Sequence, residues 1–232
     1  MIKTLNKILL SDNVKNEFYL QYKDTKFYNW LNNVLPEVED CKKLKQDNPW
    51  HIYNCLDHIL VSVEEMNKQT KNLPNEERRL LAYTMFLHDI GKPECYVRRY
   101  SKLYGRQVDS FFDHNKASVR IADEALDDFG FNEKDKEAML ALIDNHDMFM
   151  FVVLKDDGNR FHRVLTKSLI EEKVGELSRF GDGTKLMEQL LLVGRADNMA
   201  QNPQMTKDSL NKIDEMGKML SEIKKETQNQ QG

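Results

Sequence analysis

Cysteine, proline and glycine are all scarce in this chain of 232 residues. There are three cysteines, Cys41, Cys55 and Cys95, an odd number with no Cys-x-x-Cys spacing. That argues against a disulfide framework and reads as reduced thiols in a cytoplasmic protein. Only 5 prolines and 10 glycines interrupt the chain, so long helices are free to form. No apolar run approaches the ~18 residues of a membrane span. Met1–Leu10 is short and broken by Lys3, Asn6 and Lys7, so no secretory leader is expected. An excess of positive charge is also missing. Thirty-four Lys and Arg face 38 Asp and Glu, a net charge of −4. This disfavours nonspecific nucleic-acid binding and leaves room only for a local basic cleft.

What is present is helical periodicity. A composition 40% hydrophobic and 31% charged is that of a globular domain with a sizeable core. Residues 1–48 predict a helical lead-in with Phe18, Tyr19, Tyr22, Phe27, Trp30, Leu31 and Leu35 on its apolar face and a break at Pro36. From His51 to about Lys68, Ile52, Cys55, Ile59, Val63 and Met66 recur at three- and four-residue steps. The next helix opens at Pro74-Asn75-Glu76-Glu77 and is apolar nearly all round, which places it centrally. Residues 94–112 alternate (Tyr96, Arg98, Tyr100; Val108, Ser110, Phe112) and predict a loop or short irregular β-hairpin. Further helices are expected after His114, after an Asn132 N-cap, over roughly 161–178, over Leu186–Ala200 up to Pro203, and over 205–226, with a frayed tail beyond. Asp156-Asp157-Gly158-Asn159 reads as a turn. The expected class is therefore all-α, with one small β insertion. The expected organisation is a lead-in (1–48) packed on a core domain (49–204), then a C-terminal amphipathic helix and tail (205–232).

Chemistry concentrates at Leu87-His88-Asp89-Ile90-Gly91-Lys92-Pro93. An imidazole beside a carboxylate offers one borderline and one hard metal donor. Neighbours on a continuous helix point about 100° apart, but at a helix end they can share a target. Gly91 is a candidate C′ residue and Pro93 cannot continue the helix. An isolated pair of this kind is more often a helix end with a capping His and a solvated Asp. The other candidates are His58, His114, His146 and Asp197, each at the end or on the shoulder of a different expected helix. A helical bundle builds a metal site in this way, from side chains on facing helices. His58 and His51, taken alone, are equally ordinary core or capping histidines.

Together these strings resemble the HD-domain metal-dependent phosphohydrolases, whose pattern is a His, then His-Asp, then a distant Asp. The residues that carry the resemblance are His58, His88-Asp89 within HDIGKP, and Asp197 within Arg195-Ala196-Asp197-Asn198. The likeness is strongest to the HD domain of bacterial tRNA nucleotidyltransferases. Asn48-Pro49-Trp50-His51-Ile52-Tyr53 and His58-Ile59-Leu60 are similar to that family's NPxHxYxxxxHxL string. Phe112-Asp113-His114 is similar to its F-x-H step. Residues 48–200 are covered. Nothing in the first 48 residues resembles the nucleotidyltransferase head, so nucleotide addition to tRNA is not expected.

The resemblance implies an HD helical bundle with His58, His88, Asp89 and Asp197 on a first metal. His114 and His146 are similar to the extra histidines of dinuclear members, in which the Asp of the pair bridges two ions. One or two divalent transition-metal ions (Mn, Fe, Ni, Co or Zn) are the implied cofactor. The implied reaction is hydrolysis of a phosphomonoester or phosphodiester in a nucleotide, cyclic nucleotide or nucleic-acid end, by hydroxide held on the metal. Asp89, Lys92 and Asp147 would carry catalysis: Lys92 neutralising developing charge, Asp147 accepting a proton or supporting a ligand histidine. Arg98, Arg99, Lys116 and Arg195 are candidates to hold substrate phosphate. Two other classes compete, a non-catalytic nucleotide- or RNA-binding regulatory module and a di-iron oxygenase. The expected partner is a phosphorylated small molecule or nucleotide; RNA is disfavoured by the acidic balance, and no membrane is expected.

Overall fold

The computed structural model describes residues 1–230, with side chains to residue 229. It is all-α apart from two small β pairs. Four short helices form the lead-in: α1 (Ile2–Leu9), α2 (Val14–Gln21), α3 (Thr25–Val34) and α4 (Glu37–Lys43). Asp24 caps α3 by accepting from the Phe27 amide, and Pro36 separates α3 from α4 as expected. Leu5, Leu9, Phe18, Phe27 and Leu31 are fully buried in the same apolar core as the helices that follow. The lead-in is thus part of the core rather than an appendage.

Helix α5 (Cys55–Gln69) begins four residues later than the expected start at His51. Asn54 is its true cap, its side chain accepting from the Asp57 amide at 2.8 Å. The Pro49 turn keeps His51 outside the helix, on a loop. Helix α6 (Asn75–Leu87) buries every residue from Leu81 to Leu87, the central position its all-round apolarity predicts. It ends at His88. Gly91 does not adopt the left-handed conformation expected of a C′ glycine. Its role is close approach, since a Cβ there would lie 2.4 Å from the Ser118 amide nitrogen and 2.6 Å from the Ala117 Cβ. Only glycine lets this turn press against the helix that begins at His114.

Residues 94–112 resolve as a hairpin, β1 (Tyr96–Ser101) antiparallel to β2 (Arg106–Phe111), with Tyr96 opposite Phe111 and Ser101 opposite Arg106. Gly105 supplies the positive φ of the turn. Helix α7 (His114–Asp128) follows, entered through Asp113 at φ 58°. Helix α8 (Glu133–Asn145) carries the expected Asn132 cap, accepting from the Asp135 amide at 3.0 Å. A 3-10 turn, His146–Phe151, leads into a two-residue parallel pairing of β3 (Val152–Val153) with β4 (Arg163–Val164). The helix expected over 161–178 is shorter, α9 (Lys167–Leu177), because Thr166 caps it and the preceding residues are extended. Helix α10 (Gly183–Met199) starts from an Asp182 cap, earlier than expected. Pro203 ends one helix by opening the next, α11 (Pro203–Gln230), where its missing N–H costs nothing. The expected frayed tail is helical up to Gln230, and residues 231–232 lie outside the described residues. No described helix is long and apolar enough to cross a membrane.

Candidate metal centre

The ligand residues converge because helix ends meet. His88 caps the C-terminus of α6 with helical dihedrals, and Asp89 lies in the turn that follows. The turn is closed by Lys92 N donating to the Asp89 carbonyl at 3.0 Å. Both side chains therefore point inward, although they are adjacent. His58 comes from the first turn of α5, His114 from the start of α7, His146 from the end of α8, and Asp197 from the last turn of α10. All six are buried.

Each histidine is oriented by its own backbone contact. Nδ1 of His58 lies 3.2 Å from the Ala200 carbonyl, that of His88 2.6 Å from Met85, that of His114 2.8 Å from Phe111 and that of His146 2.7 Å from Ile143. A carbonyl only accepts, so Nδ1 carries the proton and Nε2 faces the centre. Ligating histidines are fixed in this way. Asp89 is shared between two groups. Its Oδ2 is 3.1 Å from His58 Nε2 and 3.3 Å from His88 Nε2, while its Oδ1 is 3.0 Å from His114 Nε2 and 3.5 Å from His146 Nε2. Asp197 Oδ1 completes the first group, 3.0 Å from His58 Nε2 and 3.5 Å from His88 Nε2. Gln201 holds Asp197 from behind with contacts of 3.1 and 3.0 Å to its two oxygens. Ligand atoms of His58, His88, Asp89 and Asp197 lie within 4.8 Å of one another, and so do those of Asp89, His114 and His146.

The electrostatics fit a cation. His58 Nε2, His88 Nε2 and both Asp89 oxygens are buried without a hydrogen bond of regular geometry, with the Lys92 ammonium beside them ion-paired to Asp89 Oδ2. Such a buried set of polar atoms is costly unless positive charge, as protons or a metal ion, is shared among them. His114 Nε2 and His146 Nε2 are only 3.1 Å apart, two inward lone pairs facing each other. Burial disfavours the charged form of His58 and His88, but the neighbouring Asp197 and Asp89 overcome it and lift both to about 9. His146 is raised too, against its burial, chiefly by Asp147. Burial likewise opposes ionisation of Asp89 and Asp197, yet the surrounding imidazoles, with Lys92 at Asp89, hold both well below the usual carboxylate range. The field that draws protons onto the histidines draws a divalent ion equally. The buried His/Asp cluster can therefore hold a metal ion. Asp147 borders the second group, its oxygens 3.3 Å from His114 Nε2 and 3.6 Å from His146 Nε2, and it is partly open to solvent.

The candidate phosphate holders do not join this cluster. Lys116 is bound to Asp144 at 2.6 Å, Arg98 to Asp47 at 2.8 Å and Asp109 at 2.7 Å, and Arg195 to Asp214. Arg99 bonds Ser110 and lies over the Phe112 ring at 4.5 Å. The helical geometry explains two of them. Lys116 and Arg195 are each two residues from a ligand, which rotates them about 200° away from it. Gln46 and His51 are the site residues that sequence reasoning did not assign a role, and both contact Lys92. The NPxH string contained His51 but gave no sign of its partner. Compared with models of known protein families, the sequence matches none.

Proposed function

We propose that the protein is a metal-dependent phosphohydrolase of the HD type, acting on a phosphomonoester or phosphodiester of a nucleotide, cyclic nucleotide or nucleic-acid end. The observation that carries this reading is the Asp89 carboxylate, whose two oxygens are divided between two buried histidine groups. A bridging carboxylate flanked by nitrogen donors suits a pair of Mn, Fe, Ni, Co or Zn ions. Ions held there would lower the pKa of water and polarise a phosphoryl oxygen. The chain's own contribution is orientation. Four imidazoles are locked by backbone carbonyls, Asp197 is braced by Gln201, and Asp147 stands at the solvent side, where it can take a proton.

Metal content per chain, measured by mass spectrometry on protein purified without chelator, tests the reading together with hydrolysis of a panel of phosphomonoesters, phosphodiesters and cyclic nucleotides. Two ions and turnover of one ester class are expected, and Asp89→Ala should lose both. Full turnover in Asp89→Ala would sink the proposal. A coloured iron protein whose absorbance changes with oxygen would replace it by an oxygenase. A metal-loaded protein that binds nucleotides and cleaves none would replace it by a regulatory module.

A further inference from the structure

Lys92 is 4% exposed and lies beside the cluster with three polar partners. Its Nζ is 2.5 Å from Asp89 Oδ2, 3.0 Å from Gln46 Oε1 and 3.2 Å from His51 Nε2. An ammonium has three protons and accepts nothing. It therefore has two hydrogen-bond acceptors and one ion-paired carboxylate oxygen around it. The orientations of the two neutral partners are forced in turn. His51 Nδ1 donates to Asn48 Oδ1 at 2.8 Å, which leaves Nε2 as the acceptor facing Lys92. Gln46 Nε2 donates to the Tyr53 carbonyl at 3.3 Å, which turns Oε1 the other way.

The stretch that carries Gln46 and His51 is itself clamped. The Asp47 amide donates to Asp109 Oδ2 at 2.8 Å and the Asp109 amide donates to the Asp47 carbonyl at 3.0 Å, tying it to β2. Asn202, just beyond α10, donates to the Trp50 carbonyl at 2.8 Å and the Pro49 carbonyl at 2.9 Å. The loop is thus pinned between the hairpin that leads to His114 and the end of the helix that carries Asp197.

We propose that Gln46 and His51 are positioning residues that lock Lys92 onto Asp89, so that this ammonium acts on the shared carboxylate and not on substrate. This rests on the cluster holding metal and is independent of which ester is cleaved. A cation fixed on Oδ2 stops the carboxylate from rotating. Oδ1 then stays toward His114 and His146 while Oδ2 stays toward His58 and His88. Releasing the ammonium frees that rotation and loosens both groups together.

Cobalt(II) titration against a competing chelator, with ions counted per chain, tests the brace in full-length His51→Leu, Gln46→Leu and His51→Gln. The two leucine variants are expected to lose roughly 10- to 100-fold in affinity for both ions, the usual effect of removing a partner behind a ligand. His51→Gln restores an acceptor, so its affinity should recover to within about threefold of the original protein. With cobalt saturating, KM for bis(p-nitrophenyl) phosphate should be unchanged in all three. Circular dichroism checks folding, and if His51→Leu does not fold, the Gln46→Leu result decides. Unchanged cobalt affinity with a KM raised about tenfold would overturn the proposal and assign Lys92 to the substrate. A wild-type chain that binds no cobalt would overturn it along with the metal reading. Cobalt binding without any phosphoester cleavage would remove only the phosphohydrolase reading, and the affinities would still judge the brace.

Discussion

Asp89 joins two groups that differ in what each loses on mutation. His114 and His146 serve one oxygen, His58 and His88 the other. His146→Ala is therefore expected to lower the ion count from two to one and leave the His58–His88–Asp197 group occupied; loss of both ions would show that the groups fill only together. The opposite outcome is expected for Lys116→Ala and Arg195→Ala. Each cation already has its own carboxylate, and exposed pairs contribute about 0–1 kcal/mol. Turnover in these two variants should stay within about twofold of the parent, since a surface pair of that size does not reach the reacting centre. A hundredfold loss in a steady-state assay would return either residue to the substrate site. At this scale the sequence picked out the histidines and aspartates that converge, but not the ion pairs that hold Lys116 and Arg195. A ligand histidine is recognisable by its string, whereas a cation's partner is a matter of which carboxylate lies beside it in space.

Helices were legible where apolar residues kept three- and four-residue steps, as over most of α5, and where a cap stood in front of them, as with Asn132. Their ends were less so. The chain around His51 has the right periodicity for a helix, but the Asn54 cap outcompetes it. Two of the glycines decide how close elements come beside the site. A Cβ at Gly91 would sit 2.4 Å from the Ser118 amide nitrogen, and one at Gly194 would sit 2.1 Å from the Phe149 ring. The first contact sets the His88-Asp89 turn against α7; the second lets the His146–Phe151 turn approach α10. Gly91→Ala and Gly194→Ala should each destabilise the fold by about 1–3 kcal/mol through overpacking. Urea denaturation would measure it, and a midpoint unchanged in either variant would mean that the packing there can yield.

At the scale of the whole molecule, the core that supports the site draws on all three parts of the chain, from Leu5 in α1 to Leu220 in α11. The His/Asp cluster is enclosed in that core, so its charge state is coupled to stability. His58 and His88 stand at about 9 in the protein, above the ordinary histidine value near 6.5. Their contribution in chelated protein is fully present below about pH 6.5 and is lost as pH rises through about 9. Asp89 and Asp197 act in the other direction: depressed in the fold, they stabilise above their ordinary value near 4, and that contribution is lost as pH falls through the depressed range. Metal binding displaces the histidine protons, so it should strengthen over the same rise from about 6.5 to 9. Melting curves with and without chelator should therefore separate as pH rises across that window. A metal present at about 1,000 times its dissociation constant adds roughly 4 kcal/mol. For a chain of this size that is a Tm difference of roughly 8–16 °C. Superimposed melts at every pH would show that no ion enters the cluster.

The sequence by itself determined the all-α class, the β insertion, and the residue types able to bind metal, because periodicity and donor chemistry are local properties. Only the tertiary structure decided which oxygen of Asp89 lies beside which histidines, that Lys92 is held by Gln46 and His51, and that Lys116 and Arg195 pair with Asp144 and Asp214. Those relations join distant parts of the chain: His58 is oriented by a carbonyl 142 residues away, at Ala200. A contact of that span is fixed by how helices pack in the shared core, and no periodicity or string within either helix encodes it.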